Sequence, residues 1–418
     1  MKLKNILKVI LFGVILMDCL AFGFFWRDIS NHRSPSSAAL QRLLGDKVLS
    51  ANLSSDELFS RNYQRILADY IHPVKPLDLK YAGMSGMVSS LGDPHTMFLP
   101  PQEAEEFNDE TKANFGGVGA RLSPDALGAG VFSSFEEGPA YAAGLRKGDV
   151  ITAVDGKNIA GKDLDSIVDE IKGKEGTVVH LTVIHAGIDK PVFMTIRRAR
   201  IIAPTVDGNV IPGTKFGYMS ILQFSEPTTD QFNKEIAKLE DSNIKGLVID
   251  VRGNPGGLLE TATDMLSTFV EDKVVVTMKF RSGQVETDKT SSGELHTYNY
   301  PIVILIDQDS ASAAEIFSGC LHDYGKVTLV GTHSYGKASV QNVFPLVDRA
   351  SAKITIARYF LPGGEYIGRE LDQDGVMIKG GLDPDVKVEL NTDKQVTFGD
   401  PASDNQLAKA IEVLKSKI

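Results

Sequence analysis

The chain has 418 residues, 42% hydrophobic and 23% charged, which is long enough for two or three domains with cores of their own. Its net charge of −10 disfavours a general nucleic-acid-binding protein. The only cysteines are Cys19 and Cys320, which excludes a disulfide framework and a zinc site built from thiolates. We expect Cys320 to be a small core residue, because its surroundings have an apolar helical pattern.

The N-terminus predicts a membrane anchor. Lys2, Lys4 and Lys8 precede residues 9–26, an apolar run whose single charge is Asp18. This pattern is typical of a secretory signal or an uncleaved anchor, and no clear small-residue cleavage site follows it. We therefore favour an anchor over a signal peptide or a buried helix of a soluble protein. The basic end would lie inside and the rest of the chain outside the cytoplasm, in the periplasm or cell envelope.

The next segments predict a linker and then a helical region. Residues 27–39 are polar and contain serine and proline, which is typical of a linker. "SSDELFSRNYQRILADYI" has apolar residues at helical spacing and a capping start at Ser54. "DLKYAGMSGMVSSL" predicts a second helix, which "GDPHTMFLP" interrupts. The anchor and linker are assigned to residues 1–33 and the helical region to residues 34–112.

Two further regions differ in their periodicity. Residues 113–200 contain short β-rich runs, one helix ("DLDSIVDEIKG") and the tight-turn dipeptide Asp155-Gly156, which predicts a small β-barrel or sandwich. Residues 201–390 alternate apolar strands, glycine turns and helices, which predicts a layered α/β domain. The tail, residues 391–418, ends in an amphipathic helix whose apolar face carries Leu407, Ala410, Ile411 and Leu414.

"GTHSYGKAS", residues 331–339, nearly spells a phosphate-binding P-loop. A P-loop needs Ser or Thr directly after its lysine and a helix beyond it. Here Ala338 follows Lys337, and the continuation "ASVQNVFPLVD" has a strand pattern. The sequence therefore argues against a nucleotide site.

Three segments contain groups suited to nucleophilic catalysis. In "DQDSASAAEIFSG", Ser310 and Ser312 occupy a strand-to-helix turn, where helix-start amides can stabilise an oxyanion; a plain N-cap is the alternative. Lys337 lies in a run with few charges, where burial would favour its neutral form and let it act as a base. "DVRGNPGG" ends a buried strand in glycines that allow close backbone approach, although a simple tight turn is the alternative.

Together these segments resemble the C-terminal processing peptidases, also called tail-specific proteases, which are serine peptidases with an inserted PDZ domain. The similar segments are "SLGDPHTMFL", "FGGVGARL", "GPAYAAGLRKGDVITAVDG", "GLVIDVRGNPGG", "SASAAEIFSG", "GTHSYGKASVQ", "YFLPGGEYI" and "GLDPDV". The resemblance implies a multidomain α/β protein. A layered, ClpP/crotonase-like protease core at residues 201–390 would accompany a PDZ domain at residues 113–200 and the N-terminal helical region.

The resemblance also implies roles for particular residues. Ser312 matches the nucleophile, Lys337 the general base, and Gln341 the residue that orients the lysine. Glu315 matches an acidic position on the nucleophile's helix, to which we assign a supporting role. The remaining matches are the oxyanion-hole amides, Ala313 with Gly256 or Gly257, and the loop that binds the substrate's carboxylate, Gly116, Gly117, Val118 and Gly119.

The implied function is endoproteolysis of proteins recognised by apolar C-terminal tails, which the PDZ domain would bind as an added strand. The implied chemistry requires no metal, nucleotide or other cofactor. We expect protein or peptide substrates, a membrane contact through the N-terminal segment, no nucleic acid, and a possible homo-oligomer. The main alternative is a non-catalytic, membrane-tethered PDZ adaptor; a P-loop ATPase is a third hypothesis.

Overall fold

The computed structural model describes residues 54–188, 190–373, 377–392 and 396–418. The predicted anchor and linker lie outside these residues. In the described part of the chain, no helix has both the length and the apolar character needed to cross a bilayer. The described residues divide into two compact units, of which the first ends at Gly86 and the second begins at Met87.

The described residues form the following α-helices in chain order: α1 (Ser55–Asp69), α2 (Pro76–Ser89), α3 (Pro101–Thr111), α4 (Pro139–Ala142), α5 (Leu164–Ile171), α6 (Thr228–Asp241), α7 (Leu259–Ser267), α8 (Ala313–Asp323) and α9 (Asn405–Lys415). A 3-10 turn covers Val347–Arg349.

The strands in chain order are β1 (Met97–Leu99), β2 (Asn114–Gly117), β3 (Ala120–Asp125), β4 (Gly128–Ser134), β5 (Val150–Val154), β6 (Lys157–Asn158), β7 (Val178–Ile184), β8 (Pro191–Arg197), β9 (Ala199–Ile202), β10 (Val206–Val210), β11 (Phe216–Ile221), β12 (Gly246–Asp250), β13 (Val274–Phe280), β14 (Val285–Lys289), β15 (Ile302–Ile306), β16 (Thr328–Gly331), β17 (Ser339–Pro345), β18 (Ser351–Phe360), β19 (Glu370–Leu371), β20 (Met377–Lys379) and β21 (Val386–Lys387).

In the first unit, helix α1 begins with the predicted capping box. The Ser54 hydroxyl accepts from the Glu57 N–H at 3.3 Å, and the Glu57 carboxylate accepts from the Ser54 N–H at 3.1 Å. This reciprocal pair satisfies two backbone donors that a helix start leaves without intrahelical partners. The sequence signal for the start of α1 is therefore confirmed.

Within the second unit, an antiparallel sheet folds around a small core of its own. Its strand order is β3-β4-β5-β7-β8, with β6 beside β5. Residues from both the sheet and helix α5 are buried in this core, among them Ile151, Leu181 and Ile167. Strand β3 stands at the end of the sheet, so one of its sides has no strand partner in the described chain.

A larger mixed sheet forms the centre of the second unit. Its order is β10-β11-β12-β15-β16-β21, and only the β10–β11 pair is antiparallel. Both faces of this sheet are covered, which explains why "GLVID" and "IVILI" are apolar throughout rather than alternating. Leu247 and Ile249 join a core with helices α6, α7 and α8, whereas Val248 packs on the opposite face with Leu407 and Leu414 of α9.

A second, antiparallel sheet lies against the same helices. Its order is β1-β18-β13-β14, with β17 also paired to β18. The apolar side of this sheet packs in the core that contains α7 and α8, through Val275, Val276 and Tyr359. The segment "GDPHTMFLP", predicted as a break, thus includes the short strand β1, which pairs with β18.

The carboxyl ends of three neighbouring parallel strands lie at one edge of the mixed sheet. Strands β12, β15 and β16 are adjacent and parallel, so the loops that leave them meet there. These loops are residues 251–258, 307–312 and 332–338. They contain residues of the three segments in which the sequence predicts groups for nucleophilic catalysis.

Candidate active site

Ser312 occupies a strained position between strand β15 and helix α8. Its backbone angles are φ 55° and ψ −116°, outside the regions that non-glycine residues usually adopt. Such a conformation is unfavourable by about 1–3 kcal/mol and persists only where surrounding contacts enforce it. A serine on a strained strand-to-helix turn is the arrangement that presents the nucleophile in α/β-hydrolases.

Of the two serines in this turn, Ser312 lines a cavity of about 1110 Å³ and Ser310 does not. The Ser310 hydroxyl is buried, donates to the Val251 carbonyl at 2.8 Å and accepts from the Asp307 N–H at 3.0 Å. Ser310 therefore ties two loops of the sheet edge together. This contact gives it a structural role and leaves Ser312 as the candidate nucleophile of the turn.

Glu315 is fully buried on α8 and joins the serine turn to the lysine loop. One carboxylate oxygen, Oε2, accepts from the backbone N–H groups of Ser312 and Lys337, both at 2.9 Å. The other, Oε1, accepts from the Ser334 hydroxyl at 2.5 Å and the Gly336 N–H at 2.6 Å. Burial raises the pKa of Glu315, and these four hydrogen bonds oppose that rise.

Lys337 lies in an environment that favours its neutral form. Burial lowers the pKa of Lys337 first, and the nearby positive charge of Lys353 lowers it further; Glu315 and Asp93 act in the opposite direction. Residues after Lys337 form strand β17, not the helix that a P-loop requires. The nucleotide-binding hypothesis therefore lacks its structural basis.

The glycine loop after β12 approaches the serine turn closely. Gly256 has φ +101°, and a Cβ built on it would lie 2.7 Å from the Ser312 Cβ, so no larger residue fits without movement. The buried Asn254 side chain braces this loop. It donates to the Ile221 carbonyl at 2.8 Å and accepts from the Gly256 N–H at 2.8 Å.

Most of the predicted catalytic residues line one cavity of about 1110 Å³. The predicted members at its wall are Ser312, Ala313, Lys337, Gln341, Gly256 and Gly257. Apolar side chains, among them Phe224, Leu259 and Ile316, line it as well. This combination suits an extended peptide with apolar side chains better than a small charged ligand.

Two predicted groups are placed elsewhere or make other contacts. Gly116 and Gly117 end strand β2, which pairs with β9, and Val118 packs in the core of the small antiparallel sheet; none of residues 116–119 lines this cavity. The Gln341 amide lines the cavity but donates to the hydroxyls of Ser339 at 2.8 Å and Thr355 at 3.1 Å. Among the described hydrogen bonds, none joins Gln341 to Lys337.

Several contributors were not predicted from the sequence. Helix α3 forms one wall of the cavity, and Lys353 of strand β18 lies in the same wall. Asn254 and the buried Ser334 brace the glycine and lysine loops. The one available signal was "DVRGNPGG", whose asparagine directly precedes the Pro-Gly-Gly turn.

Comparisons with known proteins agree with the predicted family. A family model described as peptidase family S41 matches residues 215–388, and one described as a PDZ domain matches residues 135–184. Carboxy-terminal processing protease CtpB of Bacillus subtilis is 34% identical over 320 residues, which is 76% of this chain and 66% of that protein. The carboxy-terminal-processing protease of Bartonella bacilliformis is 33% identical over 340 residues, 79% of this chain and 74% of that one.

A solved structure supports the fold. The crystal structure of a protein described as an S41 protease, from Bacteroides fragilis, superimposes with a TM-score of 0.53 at 17% identity, covering 84% of this chain and 92% of that one. The predicted multidomain α/β fold is thereby confirmed. The protease of Bartonella bacilliformis shares 33% identity with this chain over most of the length of both proteins. This chain therefore belongs to peptidase family S41, as a serine peptidase of the carboxy-terminal processing group.

Proposed function

We propose that the chain cleaves peptide bonds with Ser312 as nucleophile and Lys337 as general base. One observation carries this proposal: a single oxygen of the buried Glu315 accepts the backbone N–H of both residues. The two side chains also line the same cavity, which is large enough for a peptide. The arrangement supports a dyad built from two loops of one sheet edge.

The chemistry requires Lys337 to be neutral, a state that its lowered pKa favours. Its amine takes the proton of the Ser312 hydroxyl while the oxygen attacks the scissile carbonyl carbon. The resulting ammonium gives that proton to the leaving amine as the peptide C–N bond breaks, which leaves an acyl ester on Ser312. Water then attacks the ester, with Lys337 again accepting a proton, and the released serine oxygen takes that proton back.

Two backbone amides suit the developing oxyanion. Ala313 is the first residue of α8, so its N–H has no intrahelical acceptor. The Gly256 N–H already donates to Asn254, whereas no hydrogen bond from the Gly257 N–H is found among the described residues. We therefore propose the amides of Ala313 and Gly257 as the oxyanion hole, with Gly256 providing the space beside Ser312.

Substrate selection would take place at the small antiparallel sheet. Strand β3 has a side without a strand partner, to which an extended peptide can add. Just before it, the carbonyls of Gly116, Val118 and Gly119 accept hydrogen bonds from Gly173, Ala140 and Phe135, which hold this loop in place. We propose that N–H groups of residues 116–119 bind the free carboxylate of an apolar protein tail.

A cleavage assay with active-site variants tests the dyad. The substrate is an unfolded protein with an apolar C-terminus, and its matched control is the same protein ending in aspartates. Ser312→Ala and Lys337→Ala should each abolish cleavage, while Ser310→Ala should retain it if the protein stays folded. Full activity of Lys337→Ala would show that this lysine is not the base.

The cleavage assay, together with peptide binding and fluorophosphonate labelling, distinguishes the protease from a non-catalytic PDZ adaptor. An adaptor would bind tail peptides, as measured by fluorescence anisotropy, yet leave the unfolded protein intact and fail to react with a fluorophosphonate. The strained conformation of Ser312 favours the protease, because a pure adaptor gains nothing from that strain.

The cellular placement remains a proposal from the sequence. Residues 9–26 would anchor the chain to a membrane, with the catalytic unit in the periplasm or cell envelope. Carbonate extraction of cell membranes tests this: the full chain should stay in the pellet and a chain lacking residues 1–33 should not. Homo-oligomerisation is tested by sedimentation of that truncated chain.

A further inference from the structure

The segment before strand β1 lies against the strand that faces the predicted catalytic residues. The Asp93 carboxylate accepts from the Thr96 hydroxyl at 2.6 Å, and the Thr96 hydroxyl oxygen accepts from the Thr355 N–H at 3.0 Å. Burial would raise the pKa of Asp93, but hydrogen bonds from Thr355, Thr96 and the His95 N–H outweigh it and lower the pKa. Asp93 is therefore ionised at neutral pH.

An ionised carboxylate fixes the direction of the hydrogen bonds around it, because it can only accept. The Thr355 hydroxyl is among the groups that lower the pKa of Asp93, which directs its single proton to that carboxylate and leaves its oxygen to accept from its other neighbour. That neighbour is Gln341, whose Nε2 donates to Thr355 Oγ1 at 3.1 Å and to Ser339 Oγ at 2.8 Å. Both amide protons are then in use, and only the amide oxygen remains for a further contact.

We propose that Asp93 and Thr355 are positioning residues that fix the Gln341 amide with its oxygen toward Lys337. A lysine amine has protons to give and the amide oxygen accepts them, so this orientation can hold the amine in place beside Ser312. In the opposite orientation the nitrogen of the Gln341 amide, which is a donor, would face the Lys337 amine. This inference rests on the proposed function, because it assigns a task to groups around the proposed base.

Asp93 also acts on Lys337 through its charge. Its carboxylate raises the pKa of Lys337, as Glu315 does, against the lowering by burial and by Lys353. His95 also interacts electrostatically with Lys337: burial lowers the pKa of His95, and the charge of Lys337 lowers it further. Removing the Asp93 charge should therefore lower the pKa of Lys337 and move the rising limb of the pH–rate profile to lower pH.

A double-mutant cycle tests whether Thr355 acts through Gln341. The variants are Thr355→Val, Gln341→Ala and the double variant, with Thr355→Ser as the conservative rescue. Thr263→Val is the matched control, since it removes a buried hydroxyl that donates to another aspartate, Asp288, at 2.8 Å, on helix α7 and outside the cavity lining. Thermal unfolding of each variant is measured beside kcat and KM on a tail-bearing substrate.

We expect Thr355→Val to lower kcat by about tenfold to a hundredfold, as loss of alignment does, with little change in KM. Thr355→Ser should restore most of kcat, and Thr355→Val should have no further effect in the Gln341→Ala background. Asp93→Asn should lower kcat and shift the rising limb to lower pH. Thr263→Val should keep kcat within a few-fold of wild type.

Additive effects of Thr355→Val and Gln341→Ala would overturn the inference. An equal loss of kcat in Thr263→Val would do the same, as would an Asp93→Asn variant whose pH–rate profile keeps its rising limb at the wild-type pH. If Thr355→Val does not fold, Thr355→Ala takes its place in the cycle, and the shift of the rising limb in Asp93→Asn is measured independently of it. A wild-type protein that does not cleave, or a Ser312→Ala variant that does, would instead overturn the proposed function and this inference with it.

Discussion

Replacing Glu315 by glutamine tests the link between the serine turn and the lysine loop. The two side chains have the same shape, but glutamine puts an NH₂ donor where one carboxylate oxygen stands. All four groups that contact Glu315 are donors. The NH₂ group is best tolerated at the Oε1 position, because the Ser334 hydroxyl can turn to accept from it. The Gly336 N–H then loses its acceptor.

The magnitude follows from that lost acceptor. A buried donor left without a partner is unfavourable by about 1–3 kcal/mol, and the remaining bonds lose their charge assistance. We expect Glu315→Gln to lower the free energy of unfolding by about that amount, 1–3 kcal/mol. Because Gly336 adjoins Lys337, kcat should fall by about tenfold to a hundredfold through misalignment of the base.

The assay combines urea denaturation with steady-state kinetics, and Leu414→Ala is the control. Leu414 is fully buried on α9, on the face of the sheet away from the catalytic core, so its loss should destabilise by about 2–5 kcal/mol without changing kcat. A Glu315→Gln variant that is destabilised but keeps wild-type kcat would refute the reasoning. So would one that matches wild type in both measurements.

Three further predictions address neighbouring groups. Gly256→Ala should lower kcat by at least about a hundredfold, because the new Cβ would displace Ser312; wild-type turnover would contradict this. Lys337→Arg should be inactive up to about pH 10, since a guanidinium stays protonated there, and a rate that rises with pH would argue against lysine as the base. Arg252→Ala should lower the free energy of unfolding by about 3–5 kcal/mol, because it leaves the buried carboxylates that pair with it uncompensated; unchanged urea denaturation would contradict this.

The parts of the fold that depend on local pattern were predictable from the sequence. Strands β12 and β15 are apolar runs that lead to an aspartate, Asp250 and Asp307, and the amphipathic pattern of α9 places Leu407 and Leu414 on its buried face. The capping box at Ser54 is likewise a contact between residues three apart. Short-range rules are sufficient for such features.

Features that depend on distant contacts were not predictable. Helix α3 is polar in sequence, so nothing in its pattern indicates that it forms a cavity wall. The choice between Gly256 and Gly257 rests on which amide Asn254 accepts from, a detail of loop geometry. The bond between Thr96 and Thr355 joins residues 259 positions apart along the chain. No local pattern specifies such a pairing.

The most direct test of the central claim is the pH dependence of fluorophosphonate labelling, with the modified residue identified by mass spectrometry. If Ser312 is activated by a neutral Lys337, wild-type protein is labelled at Ser312, and the rate rises with pH through the lowered pKa of Lys337. Lys337→Ala should then show no labelling above that of Ser312→Ala. Labelling of Lys337→Ala at the wild-type rate, or of a serine other than Ser312, would contradict the account.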